Sequence, residues 1–395
     1  MFFGIKKAFL QHNFLYVKIF GANMLNRIEK ERELAQKLVN YSCNVKSGEK
    51  VLITYSDTPS SFVEILIETI SKKGAIPVPF RLDRIIKRRL LLNSKAENFE
   101  YYKNIVLPIM QSVDAVILIG GSFNDFELSD IPSETMGDFN KIYVEPIHFK
   151  VRCQKKWVLL RYPTPSFAQS SGLSSEKFYR FFFDVCTLDY CSLNKKMTPL
   201  QDLMQKTDLV HIVTPTTDIT FSIKGMPAIK CSGECNIPDG EIYSAPIKDS
   251  VNGHIKFNVP AVDNGFEFND IFLEFKDGKI VDFDCNNKSA FETILDTDKG
   301  SRYLGEFAFG LNPYCTNPLK DILFDEKMTG SIHLAIGASY DDCFNGNTSA
   351  LHLDLILSLM PKNGGGKIYF DDKLIYENGK FICPNLVDLN AENLI

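Results

Sequence analysis

The sequence predicts two domains: an α/β N-terminal domain with a mostly parallel sheet, and an α+β C-terminal domain rich in antiparallel strands. Three observations carry this prediction. The chain has 395 residues, too many for one ordinary hydrophobic core. Its first half alternates helix-period with strand-period segments, the pattern of strands joined by crossover helices. Beyond Leu209 the texture changes to short alternating strands separated by turn residues.

In the first half, Ile28, Leu34, Leu38 and Val39 recur at helical spacing between Asn26 and Asn44, and Gly48 precedes a strand from Lys50 to Tyr55. Phe62 to Lys73 predicts an amphipathic helix, Ala75 to Arg81 a strand, Ile85 to Leu92 a helix, and Asp114 to Ile119 a buried strand ending at Gly120-Gly121. That glycine pair reads as a tight turn, because no Gly-x-Gly-x-x-Gly or Gly-Lys-Ser surrounds it. Between Phe149 and Lys206, a stretch from Trp157 to Thr164 and a helix over Ser175 to Cys186, with Ser174 or Ser175 as N-cap, form a connecting segment. Strands then follow at Val210 to Val213, Ile219 to Ile223, Glu241 to Ala245 and His254 to Phe257. Phe272 to Phe283 is a hairpin turning at Asp277-Gly278, and Lys367 to Phe381 repeats that logic with Asn378-Gly379. The domains are placed at residues 24–205 and 206–395.

The first 23 residues form an extension that is aromatic and basic. Lys6, Lys7, His12 and Lys18 interrupt every apolar run, so no membrane span of roughly 20 apolar residues and no secretory signal is predicted there. Met24 opens a more ordinary helix, and the extension can lie upstream of the true start. A net charge of -5 argues against a nucleic-acid partner, which needs clustered Lys and Arg; runs such as Lys87-Arg88-Arg89 sit beside acidic ones. The ten cysteines are scattered without a Cys-x-x-Cys pair, the usage of free thiols in a reducing compartment. Cys231 and Cys235 lack the second ligand pair that a structural zinc site requires.

Two of the six histidines fall between Glu306 and Asp354, each near carboxylates. Imidazole and carboxylate together suit Zn, Mn or Co, and a bridging carboxylate can hold two ions roughly 3.5 to 4 Å apart. His352 and Asp354 are two apart, so a strand presents both on one face, with Leu351, Leu353 and Leu355 on the other. A satisfied hydrogen bond in a half-buried strand also explains a lone His-x-Asp. His333 lies in the apolar stretch Ile332 to Ile336, where an unpartnered imidazole costs roughly 1–3 kcal/mol. Glu241 and Glu306 each follow a glycine beside an apolar run, and a carboxylate buried there needs a cation. Tyr340 reads as loop packing or as a hydroxyl donor to developing negative charge. Glu326 beside Lys327 reads as a surface ion pair.

Several ordered strings together resemble the thermophilic-metalloprotease family of aminopeptidases, the aminopeptidase T and S type. They are Asn236-Ile237-Pro238-Asp239-Gly240-Glu241-Ile242-Tyr243-Ser244-Ala245-Pro246, Asp249-Ser250-Val251-Asn252-Gly253, Leu304-Gly305-Glu306, Asp325-Glu326-Lys327, Ile332-His333-Leu334-Ala335-Ile336-Gly337 and His352-Leu353-Asp354. Thr217-Asp218-Ile219-Thr220, Pro163-Thr164 with Ala168-Gln169, and Asn44 to Leu52 extend the resemblance over nearly everything after Met24. It implies a cytoplasmic, homodimeric exopeptidase whose C-terminal domain is catalytic and acts on peptides with a free N-terminus. Two divalent metal ions per subunit (Zn, Co, Mn or Mg) are implied, with Glu241, Glu306, His333, His352 and Asp354 as ligands and Glu306 as the bridge. Tyr340 and Glu326 match the family's catalytic tyrosine and an acidic position that serves as ligand or base. Leu353 stands where the family often has a larger residue, and residues 1–23 have no counterpart. The competing readings are a dinuclear metallo-amidase or phosphoesterase, which uses the same two-ion logic, and a catalytically silent metal-binding homologue. No Gly-x-Ser-x-Gly elbow or Cys-His signature supports a serine or cysteine hydrolase.

Overall fold

The computed structural model describes residues 26–263 and 265–395, so the expectations for the 1–23 extension lie outside them. The chain divides into two units, one ending at Ser166 and one starting at Phe167, which counts residues 167–205 with the second. No helix among the described residues is long and apolar enough to cross a membrane.

In the first unit, strands Ile76–Arg81, Lys50–Ser56, Ala115–Gly120 and Lys156–Arg161 lie side by side in that order, and every pairing is parallel. Parallel neighbours need long crossovers, which helices Ser60–Lys72, Arg84–Leu92 and Ala96–Ser112 supply. Val51, Ile53, Val116 and Ile117 are fully buried. This is the all-apolar run of a strand covered on both faces. On Ser60–Lys72, Phe62, Val63, Leu66 and Ile70 form the buried stripe. Sequence patterning missed Ala96–Ser112. Pro108 lies inside that helix and no Ser, Thr, Asp or Asn occupies its N-cap, where the Asn98 side chain instead accepts the Lys95 N–H at 2.8 Å.

The second unit is built on two antiparallel sheets. The larger has eight strands, running from Lys279–Asp284 at one edge through Thr217–Ser222 and Leu209–Thr214 to Lys380–Phe381 at the other. Its expected hairpin turns at Asp277-Gly278 and Asn378-Gly379 are present, with positive φ at all four residues. The smaller has five strands in the order His352–Ser358, Ser331–Gly337, Leu304–Gly310, Glu241–Ser244 and Ile229–Cys231. Helices Ser175–Cys186 and Tyr190–Met204 also belong here. Ser174 caps the first as expected, while the second, which carries Pro199, lies where the sequence predicts a connecting segment.

Alternation along the five-stranded sheet sorts its residues by chemistry. Phe307 and Phe309 point to one face and meet aromatic rings of the larger sheet: Phe307 lies 5.1 Å from Phe221, and Phe309 lies 5.6 Å from Tyr376 and 5.4 Å from Phe381. Leu334, Ile336, Leu355 and Leu357 share that face and are almost wholly buried. The opposite face carries the polar side chains described below. The aromatic layer therefore fixes the strands from behind while leaving their other face for chemistry. Phe309→Ala should lower unfolding stability by about 3–5 kcal/mol in a denaturant titration, because a fully buried ring with several aromatic neighbours leaves a cavity; a loss under about 1 kcal/mol would contradict this packing role.

Candidate metal centre

Strand register brings the expected ligands together. Across the five-stranded sheet Gly310 pairs with Glu241, Glu306 with Ala335, Ala308 with His333, Ala335 with Asp354 and Gly337 with His352. Directly paired residues point to the same face, so Glu241, Glu306, His333, His352 and Asp354 all project from one side. Ala308, Gly310, Ala335 and Gly337 form a floor of small residues between them. Gly310 has a further role: a Cβ there would come within 2.2 Å of the Met328 carbonyl and 2.9 Å of the Glu326 carbonyl. Its absence lets the segment carrying Glu326 and Lys327 lie against the end of this central strand.

The resulting constellation has two halves that share Glu306. One oxygen of Glu306, Oε1, lies 3.3 Å from His333 Nε2, which is 3.4 Å from Glu241 Oε2. The other, Oε2, lies 3.3 Å from His352 Nε2, which is 3.4 Å from Asp354 Oδ1. Both half-sites bring their donor atoms within 4.8 Å of one another. Glu241 Oε2, Glu306 Oε2, His352 Nε2 and Asp354 Oδ1 are buried and make no hydrogen bond. Buried polar atoms without partners are rare, and four converging on one space call for a cation. The spacing fits that need: nitrogen and oxygen ligands about 2.0–2.1 Å from a tetrahedral ion lie about 3.3–3.4 Å apart, longer than a good N–H···O bond. His352 Nδ1 lies 2.8 Å from the Ala338 carbonyl oxygen. Donation of the Nδ1 proton to that carbonyl turns the Nε2 lone pair toward the carboxylates.

The charges show the same demand. Desolvation opposes a charged His333, yet its contact with Glu306 and the charges of Glu241 and Asp354 outweigh burial and raise it to about 9. His352 is likewise pulled down by burial but raised to about 12, with Asp354 and Glu306 as partners. Asp354 is held at about 2, because the attraction of His352 and His333 exceeds its desolvation. Protons on the two imidazoles thus take the part of cations when no metal is bound.

Beside this face stand the two expected catalytic residues and two that sequence reasoning overlooked. Glu326 is not a surface residue: its side chain is 14 % exposed, and its carboxylate lies within ligand-atom reach of His333 and Asp354. Burial, followed by the charges of Glu241 and Asp354, raises it to about 8 against the opposing pull of Lys327. Lys327 is completely buried. Its Nζ lies 2.5 Å from Glu241 Oε1, 2.6 Å from Glu326 Oε1 and 3.6 Å from Asp239 Oδ1, which corrects the surface ion pair read from sequence. Asp239 is buried and accepts the Gly233 and Gly240 amides at 2.6 and 2.9 Å. Its presence in the Pro238-Asp239-Gly240-Glu241 string was the only signal for it. Tyr340 is half-exposed, with its ring 4.7 Å from that of His352 and 5.4 Å from that of Tyr243. Cys231 faces Asp239 and Glu241, whereas Cys235 is exposed.

These shifts fix a pH dependence for metal-free protein. Protonated His333 stabilises the fold fully below its ordinary value of 6.5, and that contribution is lost as pH rises through about 9. Glu326 stays protonated in the fold up to about 8 but ionises near 4.5 when unfolded, so stability again falls as pH rises through that window. Asp354 is ionised throughout and adds no slope there. Thermal unfolding of chelated protein should therefore show a melting temperature that drops from pH 6.5 to 9, and a saturating divalent ion should abolish the drop. Equal melting temperatures at both ends without metal would contradict the assignment.

The family model for thermophilic metalloproteases matches residues 28–381. Aminopeptidase 2 of Geobacillus stearothermophilus is 26% identical over 359 residues, 80% of this chain and 85% of the relative. Aminopeptidase AmpS of Bacillus subtilis is 25% identical over 412 residues, 89% and 98% of the two chains. Among solved structures, wild-type AmpT from Thermus thermophilus matches with a TM-score of 0.75 at 19% identity, covering 90% of this chain and 99% of the other. A 2,5-dihydroxypyridine dioxygenase from Pseudomonas putida shares the fold at a TM-score of 0.60 and 13% identity, covering 90% and 98%. With the family match extending across both units, the chain belongs to the thermophilic metalloprotease family.

Proposed function

We propose that this protein is a metal-dependent aminopeptidase that hydrolyses the first peptide bond of peptides with a free N-terminus, using two divalent ions. The observation that carries the reading is Glu306, whose two carboxylate oxygens face separate His-carboxylate pairs. Glu241, Glu306 and His333 would hold one ion, and Glu306, His352 and Asp354 the other. Zn, Co, Mn and Mg all accept oxygen and nitrogen donors of this kind. Bound there, such ions supply Lewis acidity toward the scissile carbonyl and lower the pKa of a water toward neutrality.

The protein's own residues do the rest. With a pKa raised to about 8, Glu326 has both its ionised and its acid form accessible near neutral pH, so the carboxylate can accept a proton and the acid can return it to the departing amine. Tyr340 keeps its phenolic proton, because desolvation and then the charges of Glu306 and Asp354 push its pKa up. It can donate a hydrogen bond to the oxygen that gains negative charge as the carbonyl is attacked. The surrounding carboxylates favour a substrate whose reacting end carries an amino group, which supports an exopeptidase over a phosphoesterase. The complete set of ligands on one face speaks against a catalytically silent homologue. The dioxygenase with the same fold shows why the residues, and not the fold, must support the choice.

A cytoplasmic homodimer completes this reading. It rests on the family resemblance.

With purified protein, a panel of peptides with free and with acetylated N-termini should show release of the first residue from the free ends only; chelation should abolish it and Zn, Co or Mn restore it. Glu306→Gln should lower kcat/KM by at least about 10³-fold and Tyr340→Phe by about 10²-fold, with little change in the fold by circular dichroism. Cleavage of blocked peptides, or full metal-dependent activity in Glu306→Gln, would refute the proposal.

A further inference from the structure

We infer that Lys327 is a built-in third cation of this centre: its ammonium fills a position otherwise suited to a third metal ion and positions both Glu241 and Glu326. The inference rests on the two-ion reading above and adds to it a residue with no ligand or proton-transfer role.

Cys231, Asp239 and Glu241 bring a sulfur and two carboxylate oxygens within 4.8 Å of one another, a donor set that by type and spacing could hold a metal. Lys327 reaches that cluster. Its Nζ lies 2.5 Å from Glu241 and 3.6 Å from Asp239, and it contacts Glu326 at 2.6 Å as well. A completely buried ammonium is tolerated only when its charge is matched, and here carboxylates surround it.

Charge balance gives the same answer independently. Asp239, Glu241, Glu306, Glu326 and Asp354 bring five carboxylates into one largely buried space. Bound cations favour the ionised form of every one of these carboxylates, and two divalent ions and one ammonium would then supply five positive charges against five negative ones, with both imidazoles neutral as ligands. A centre of two ions without Lys327 would leave one negative charge unmatched, so a cation is required at its position.

The geometry also divides the oxygens. Lys327 holds Oε1 of Glu241, leaving Oε2 toward His333, and it holds Oε1 of Glu326 while that carboxylate stays near His333 and Asp354. One ammonium therefore couples the orientation of a ligand to that of the proton-transferring acid. The backbone supports this placement: the Lys327 N–H donates to the Phe324 carbonyl at 3.1 Å, and the Lys327 carbonyl accepts the Asn312 N–H at 2.9 Å. Lys327 acts through Glu241 and Glu326 and is a positioning residue.

The test titrates chelated protein with cobalt(II) and counts bound ions per chain by equilibrium dialysis and elemental analysis. Wild type should take up two ions; fewer would sink the two-ion reading itself. Lys327→Ala, which opens the cation position, should take up a third, and ethylammonium should displace that third ion alone. Lys327→Met, which fills the space without charge, releases the Glu241 and Glu326 carboxylates that the ammonium positions; this loss should outweigh the added negative charge, so that one of the two ions binds at least about 10-fold more weakly and kcat falls far more than KM changes. If Lys327→Met does not fold, the charge-balanced double variant Asp239→Asn with Lys327→Met is read in the same titration, with the same weakened ion expected. Lys327→Ala remaining at two ions, or the methionine variant or its double replacement matching wild-type affinities within about two-fold, would overturn the inference while leaving the two-ion centre intact.

Discussion

Five carboxylates held close together on and beside one face of a buried sheet repel one another, and everything else at this centre answers that repulsion. Moving like charges from water into a poorly polarisable interior is costly, so the arrangement persists only with cations among them. His333 and His352 take up protons when nothing else is available, Lys327 contributes a fixed ammonium, and the unpartnered atoms of Glu241, Glu306, His352 and Asp354 mark where further positive charge belongs. On the two-ion reading, metal binding and folding would be coupled, because ions bound there would relieve the repulsion that the strands impose.

The scaffold separates the work of packing from the work of chemistry by strand alternation. Phe307 and Phe309 lock the five-stranded sheet to aromatic residues of the larger sheet, and Leu334 and Leu355 are buried on the same face. The next residues along the same strands, Glu306, Ala308, His333, Ala335 and Asp354, form the polar face and its floor. A ligand on a packed strand has little freedom to move, which suits ions that need donors placed to within a few tenths of an ångström. Gly310 extends this logic to the end of the central strand, where its bare backbone admits the Glu326–Lys327 segment.

Much of this was legible in sequence. His352 and Asp354, two apart on a strand, had to share a face, and the parallel and antiparallel halves followed from the switch between helix-strand alternation and closely spaced turns. Glu241 and Glu306, each after a glycine, were suggestive alone and became compelling only as members of an ordered set of strings. Lys327 was hidden because an acid beside a lysine is ordinarily a solvated pair, and nothing in the linear order tells that the segment turns inward against Gly310; Asp239 was carried only by the string around Glu241. Helices Ala96–Ser112 and Tyr190–Met204 escaped notice because each carries an internal proline, a residue that normally ends a helix.

The same fold serves a dioxygenase in Pseudomonas putida, so the account stands on the constellation and not on the architecture. Its central claim is that Glu306 lies between two ions. The most direct measurement is anomalous diffraction from crystals grown with cobalt or zinc. The account predicts two peaks of comparable height, one beside Glu241 and His333 and the other beside His352 and Asp354, with the Glu306 carboxylate between them. A single peak, or peaks away from this carboxylate, would contradict it.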